Sequence, residues 1–131
     1  MLKTISVSTR SRNEMIDITD PVREVVRSSG IKDGIVTVFC PHTTGAITIN
    51  ENADPDVIHD MLLTLDALIP HHRQGYRHSE GNSDAHVKSS LVGTSETVIL
   101  QGGSLLLGSW QGIYLCEFDG PRSRKVHILV S

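Results

Sequence analysis

The chain has 131 residues, the length of one compact domain and too short for two cores of ordinary size. Twelve Lys and Arg against 15 Asp and Glu leave a net charge of −3, which excludes nucleic-acid or anionic-membrane binding driven by bulk charge. With 38% hydrophobic residues and no apolar run near the ~20 residues of a membrane span, the composition is that of a soluble globular protein.

The N-terminus, Met1-Leu2-Lys3-Thr4-Ile5-Ser6-Val7, lacks the basic segment, unbroken apolar stretch and cleavage site of a secretory signal, so a cytoplasmic protein is expected. Cys40 and Cys116 show no Cys-x-x-Cys spacing and read as reduced thiols. The same opening segment alternates apolar and polar side chains and predicts a strand. Met15-Ile16-Asp17-Ile18 reads as its hairpin partner. Thr19-Asp20-Pro21 supplies a capping side chain and an early proline for a first helix over residues 22–29, closed by Gly30. Residues 34–40 are β-branched and apolar at nearly every position, the pattern of a central strand buried from both sides. Residues 45–50 follow as another strand.

A second helix is predicted from Asp54-Pro55 to about Ile69, with Val57, Ile58, Met61, Leu62, Leu65 and Leu68 at helical spacing and facing the core. Residues 70–85 are almost devoid of apolar side chains and read as a loop, long enough to suggest function. A short helical turn over residues 85–91 precedes strands at 95–101, 104–107, 112–118 and 124–130, with turns at Gly102-Gly103 and Asp119-Gly120-Pro121. These elements make a single α+β domain over residues 1–131, dominated by antiparallel sheet in two packed layers, with two substantial helices.

Histidine is the unusual residue: there are seven, five of them between His59 and His86. His42 sits where a buried strand ends, at a rim. His78 and His86 lie eight residues apart on a segment whose glycine and asparagine permit sharp bends. They can converge with His42 on one divalent ion, Zn²⁺ or alternatively Mg²⁺, with Glu80 or Asp84 as ligand, orienter or general base. The competing reading is a solvated loop whose histidines are incidental. His71-His72 point to different sides if extended and do not resemble a ligand pair. Asp54 and Asp56 are accounted for by capping and by the helix dipole. Asn50 and Glu51, just before them, are left as polar candidates, with solvation as the plainer account of Glu51.

Lys88, Arg122 and Arg124 form the one credible anion cluster, and Ser89-Ser90 can add hydroxyl donors. Trp110, the single tryptophan, stands between glycines and can pack a core edge, a subunit contact or a flat ligand. No glycine-rich phosphate loop, dinucleotide fingerprint, nucleophile elbow or His-Glu-x-x-His helix is present.

Taken together, His42-Thr43-Thr44, Ile49-Asn50-Glu51-Asn52-x-Asp54-Pro55, the 78–86 segment with Lys88, and Gly108-x-Trp110-Gln111-Gly112 resemble the YjbQ-like family, also labelled secondary thiamine-phosphate synthases. The resemblance implies a jelly-roll-like β-sandwich with two flanking helices, assembled as a homotrimer with a polar pocket near the subunit boundary. It implies His42, His78 and His86 as metal ligands, Glu80, Asn50 and Glu51 as pocket polar groups, and Lys88, Arg122 and Arg124 as anion contacts. The activity attached to the family joins a pyrimidine pyrophosphate to a thiazole phosphate, giving thiamine phosphate and pyrophosphate. Read from the residues, the same set also suits a metal-assisted phosphoester hydrolase with Glu80 as base, or a trimer that binds a metabolite without turning it over.

Overall fold

A computed structural model describes residues 1–131 as eight strands and three helices. In chain order these are β1 (Leu2–Ser8), β2 (Glu14–Asp17), α1 (Thr19–Ser29), β3 (Gly34–Phe39), β4 (Gly45–Glu51), α2 (Pro55–Leu68), α3 (Ser83–Val92), β5 (Ser95–Gln101), β6 (Ser104–Leu105), β7 (Gln111–Glu117) and β8 (Ser123–Val130). They form a five-stranded sheet, β1-β8-β3-β5-β6, and a three-stranded sheet, β2-β7-β4. Every pairing is antiparallel, so the α+β, mainly antiparallel expectation holds, with three helices instead of two.

The opening hairpin does not form. β1 pairs with β8, placing Leu2 opposite Leu129, while β2 joins the other sheet with Met15 opposite Cys116. Alternation marks a strand as half-buried without naming its partner, and the connection over residues 9–13 carries the chain between sheets. Both sheets contribute to one core: Val36, Val38, Val98, Leu100, Val126, Ile128 and Val130 meet Ile47, Ile113 and Leu115, with Val22, Val25 and Val26 of α1. On the opposite face of the three-stranded sheet, Ala46, Cys116 and Phe118 form a smaller cluster with Ala85 of α3.

β3 is not buried from both sides. Val36 and Val38 are fully buried, but Ile35 and Phe39 remain 43% and 40% exposed, because no element of the chain covers that face of the sheet. The register places Ile99, Leu129 and Leu2 on the same outward face.

Of the three helices, only α2 starts on a side-chain cap. In α2, Asp54 Oδ1 accepts the backbone N–H of Asp56 at 2.9 Å and Pro55 occupies the first turn, as the sequence predicts. Its apolar stripe does not reach the main core, however: α2 has no buried residue, and Leu62 and Leu65 pack only at the edge of the smaller cluster. In α1, Thr19 is inside the helix and not its cap. Its hydroxyl donates to Asp17 and accepts the backbone N–H of Ile113 at 2.9 Å, tying the helix start to β7. The expected short turn over 85–91 is the full ten-residue α3, which places Asn82 at the helix start.

Candidate functional site

The site is built where β3, β8, α3 and the β7–β8 turn converge. After β3 ends at Phe39, Cys40 is buried and the chain turns through Pro41, His42, Thr43 and Thr44 into β4. His42 Nε2 accepts the backbone N–H of Lys125 on β8 at 2.9 Å. That donor cannot be reversed, so neutral His42 carries its proton on Nδ1. Burial, reinforced by the nearby Arg124 cation, holds the His42 pKa below its ordinary value and keeps the ring neutral.

Asn82 and His86, at the start and on the second turn of α3, face the same region. A cavity of about 310 Å³ is walled by Pro41, His42, Thr43, Thr44, Glu80, Asn82, His86, Asp119, Arg122 and Arg124. A second, of about 260 Å³, is walled by His42, Thr43, His86, Ser89, Ser90 and Thr94. His42, Thr43 and His86 are therefore common to both.

Asp119 organises the first cavity. Its Oδ2 accepts from Asn82 Nδ2 and from Arg122 Nη2, each at 2.8 Å, and its backbone carbonyl accepts from Arg122 Nε at 2.7 Å. Burial works to raise the Asp119 pKa, but these donors prevail and hold it below the usual carboxylate range. Because Asn82 is fixed through its amide nitrogen, its oxygen is aimed elsewhere. Asn82 is 5% exposed and its Oδ1 has no hydrogen-bond partner, a costly state for a buried polar atom unless a bound group completes it.

Two of the expected anion contacts are spent on internal pairs. Lys88 is 1% exposed, with Nζ 2.9 Å from Asp66 and 3.7 Å from Asp84, and it also donates to Asn13. Asp84 further takes a two-pronged bond from Arg12 at 3.0 and 3.1 Å, which overcomes its burial and lowers its pKa. Lys88 does not line either cavity, so the expected catalytic and anion-binding role for it is corrected to a structural one. Arg124 lines the first cavity, but its guanidinium is bound to Glu117 on both carboxylate oxygens and to the Thr44 hydroxyl at 2.8 Å. Arg122, half exposed, is the cation with capacity left for a ligand.

Asn50, Glu51 and Trp110 are not at this site. Gly45, at the cavity end of β4, is paired with Glu117, whereas Asn50 and Glu51 are paired with Gly112 and Gln111, about 17–20 Å further along the strand. Trp110, 61% exposed, precedes β7 at that remote end. The family resemblance implies Asn50 and Glu51 in the pocket, but within one chain the seven-residue β4 holds them at its far end.

The three histidines are brought together in part. His78 and His86 rings lie 5.5 Å apart and nearly perpendicular, and His78 Nε2 is 3.7 Å from Glu80 Oε2. Two imidazoles on one tetrahedral ion, each about 2.0–2.1 Å from it through nitrogen, have ring centres roughly 5 Å apart, a spacing that this edge-to-face pair approaches. His42 does not complete the set. Its Nε2 is occupied by Lys125, and no three His, Cys, Asp or Glu side chains are gathered to hold one ion. His71 and His72, expected to diverge, instead stack at 3.9 Å because the chain turns there. With His78 they line a neighbouring cavity of about 390 Å³.

Asn82 and Asp119 line the cavity without having been singled out by sequence reasoning, and Thr43 and Thr44 were part of a recognised motif but had no role assigned. Asn82 carried a signal, standing directly before a helical segment beside two histidines. Asp119 was masked by its Asp-Gly-Pro turn.

The family described as "UPF0047 protein YjbQ-like" matches the chain over residues 3–131. A Bacillus subtilis relative, UPF0047 protein YugU, is 55% identical over 128 residues, covering 98% of this chain and 97% of its own. A Methanocaldococcus jannaschii UPF0047 protein is 50% identical, covering 99% and 94%. Among solved structures, an uncharacterised Clostridium acetobutylicum protein of this family superposes with a TM-score of 0.96 at 52% identity, covering 98% of this chain and 99% of its own. A Sulfolobus solfataricus protein described as of unknown function does so with a TM-score of 0.93 at 34% identity, covering 98% and 94%. With matches of this extent along the whole fold, the chain belongs to the YjbQ-like UPF0047 family.

Proposed function

We propose that the cavity between His42, Asn82, His86 and Arg122 binds a small phosphorylated molecule and is the reaction site of an enzyme of the thiamine-phosphate-synthase type. The observation that carries this reading is the unpartnered Oδ1 of Asn82, a buried residue lining a cavity that also holds two imidazoles and an arginine with free donors. A polar atom left so in an otherwise well-bonded protein marks a place completed by a ligand. The neighbouring His78–His86 pair, with Glu80 near His78, would hold a divalent ion at the rim, Zn²⁺ more readily than Mg²⁺ because its donors are imidazoles. When bound, it supplies positive charge to a phosphate.

In the proposed reaction the thiazole nitrogen attacks the pyrimidine-bearing methylene carbon as its C–O bond breaks, and the electron pair of that bond leaves on pyrophosphate. The chain's task is to receive that negative charge. Arg122, held by Asp119, offers fixed donors, Thr43 and Thr44 offer hydroxyls, and the Nδ1–H of His42 is a neutral donor that needs no proton at pH 7. Glu80 is 68% exposed and suits a weak, solvent-facing role in orienting His78.

The family resemblance also implies a jelly-roll-like sandwich assembled as a homotrimer. The uncovered outer face of the five-stranded sheet, with Ile35, Phe39, Ile99 and Leu129 exposed, supports self-association. Calorimetric titration with inorganic pyrophosphate, with and without Zn²⁺ or Mg²⁺, tests the site. Binding that weakens at least tenfold in Arg122→Ala and in His86→Ala, together with loss of thiamine phosphate formation, is the expected result. Unchanged affinity and turnover in both variants would reject it.

A further inference from the structure

The 260 Å³ cavity on the far side of His42 and His86 differs in kind from its neighbour. Besides those imidazoles its walls come from Thr43, Ser89, Ser90 and Thr94, through their carbon atoms as well as their hydroxyls, and no Lys, Arg, Asp or Glu reaches it. Ser89 is 3% exposed and its Oγ has no hydrogen-bond partner. It is one of only two such buried side-chain atoms in the protein, and the other, Asn82 Oδ1, belongs to the adjoining cavity. A hydroxyl on a helix ordinarily bonds back to the carbonyl one turn earlier, so an idle one on a residue that lines a cavity has a bond left to make.

The position on α3 sets the charge of that partner. Asn82 stands at the start of the helix, beside Arg122, where anions are favoured, whereas Ser89, Ser90 and Thr94 stand at or just beyond its last turn, where the dipole opposes negative charge. Hydroxyls donate and accept alike, which suits a neutral hydrogen-bonding group.

We propose that this hydroxyl-lined cavity is a second subsite, taking the neutral, hydroxyl-bearing end of the molecule whose phosphate occupies the first, so that His42 and His86 stand at the junction of the two. The inference rests on the phosphate-site reading given above and adds to it a substrate class: a small, neutral polar group joined by a short link to a phosphate.

Glycerol 3-phosphate and methyl phosphate test it, since they present the same dianionic head with and without neutral hydroxyls. One additional satisfied hydrogen bond or two predicts glycerol 3-phosphate binding roughly three- to tenfold tighter than methyl phosphate to the wild-type protein. In Ser89→Ala that advantage disappears while methyl phosphate binds as before. The variant should melt no lower than wild type, because alanine favours the helix and removes an unsatisfied hydroxyl. Equal affinities in the wild type, or an advantage that survives Ser89→Ala, overturns the subsite. If neither phosphate binds, the first-cavity reading fails by itself. Glycerol titrated alone then decides the second: shifts of the Ser89, Ser90 and Thr94 amide resonances that are absent in Ser89→Ala support it, and their absence in the wild type refutes it.

Discussion

Glu117 is fully buried, yet its carboxylate is held by Arg124, by the Thr9 hydroxyl at 2.8 Å and by the backbone N–H of Asp119 at 3.0 Å. Burial alone would raise its pKa, and these donors bring it below the ordinary value. A carboxyl lowered in the folded state contributes stability above its unfolded pKa, near 4.3–4.5, and loses it as the pH falls through the folded value. Replacing Glu117 by Gln leaves Arg124 buried and uncompensated and should cost about 3–5 kcal/mol at neutral pH. Chemical denaturation across pH 2–7 should show a flatter acid limb in that variant. Lys88→Met makes the complementary point: stability falls less, because Asp84 keeps Arg12, while pyrophosphate affinity stays within twofold because Lys88 faces neither cavity. A large loss of affinity there would restore Lys88 as an anion contact. Cys116, whose burial pushes its thiol up to about 12, should resist alkylation in the folded protein.

At the scale of elements, α3 is the part that matters most and the part the sequence disclosed least. Its apolar residues show no usable helical stripe, because it packs through Ala85 and through the buried polar groups Asp84, Lys88 and Ser89. The strands were readable from alternation and β-branching, and α2 from its cap, since those signals are local. Partners were not: whether β1 joins β2 or β8 depends on contacts more than a hundred residues apart. The same limit explains the site. His42 at a strand end and His78 near His86 were legible as candidates, whereas the Lys125 bond that fixes the His42 tautomer, and the distance separating Glu51 from His42, are tertiary facts. Ala85 lies fully buried against Ala46, Cys116 and Phe118. Ala85→Leu should therefore overpack that contact, destabilise by about 1–3 kcal/mol and displace His86 one residue away. Urea denaturation paired with pyrophosphate titration checks both effects, and a variant normal in each would separate α3 packing from the site.

At the scale of the molecule, the five-stranded sheet keeps one face in the shared core and turns the other outward with Leu2, Ile35, Phe39, Ile99 and Leu129 at 40–65% exposure. No helix of the chain is long and apolar enough to cross a membrane. A second copy of the chain is the occupant we propose for that face. Ile99→Glu places a charge on that face and should convert the proposed trimer to monomer without unfolding it. A wild-type protein that sediments as a monomer at tens of micromolar would remove the assembly from the account.

The central claim is that His42 and His86 face one ligand-binding space although they come from separate elements. The most direct measurement is a nitrogen NMR titration of the histidine side chains with inorganic pyrophosphate. The His42 and His86 ring signals should move together, with His42 reporting a neutral Nδ1–H form throughout, while His59 and His127 stay fixed. Independent responses, or movement confined to the exposed rings, would contradict a shared site.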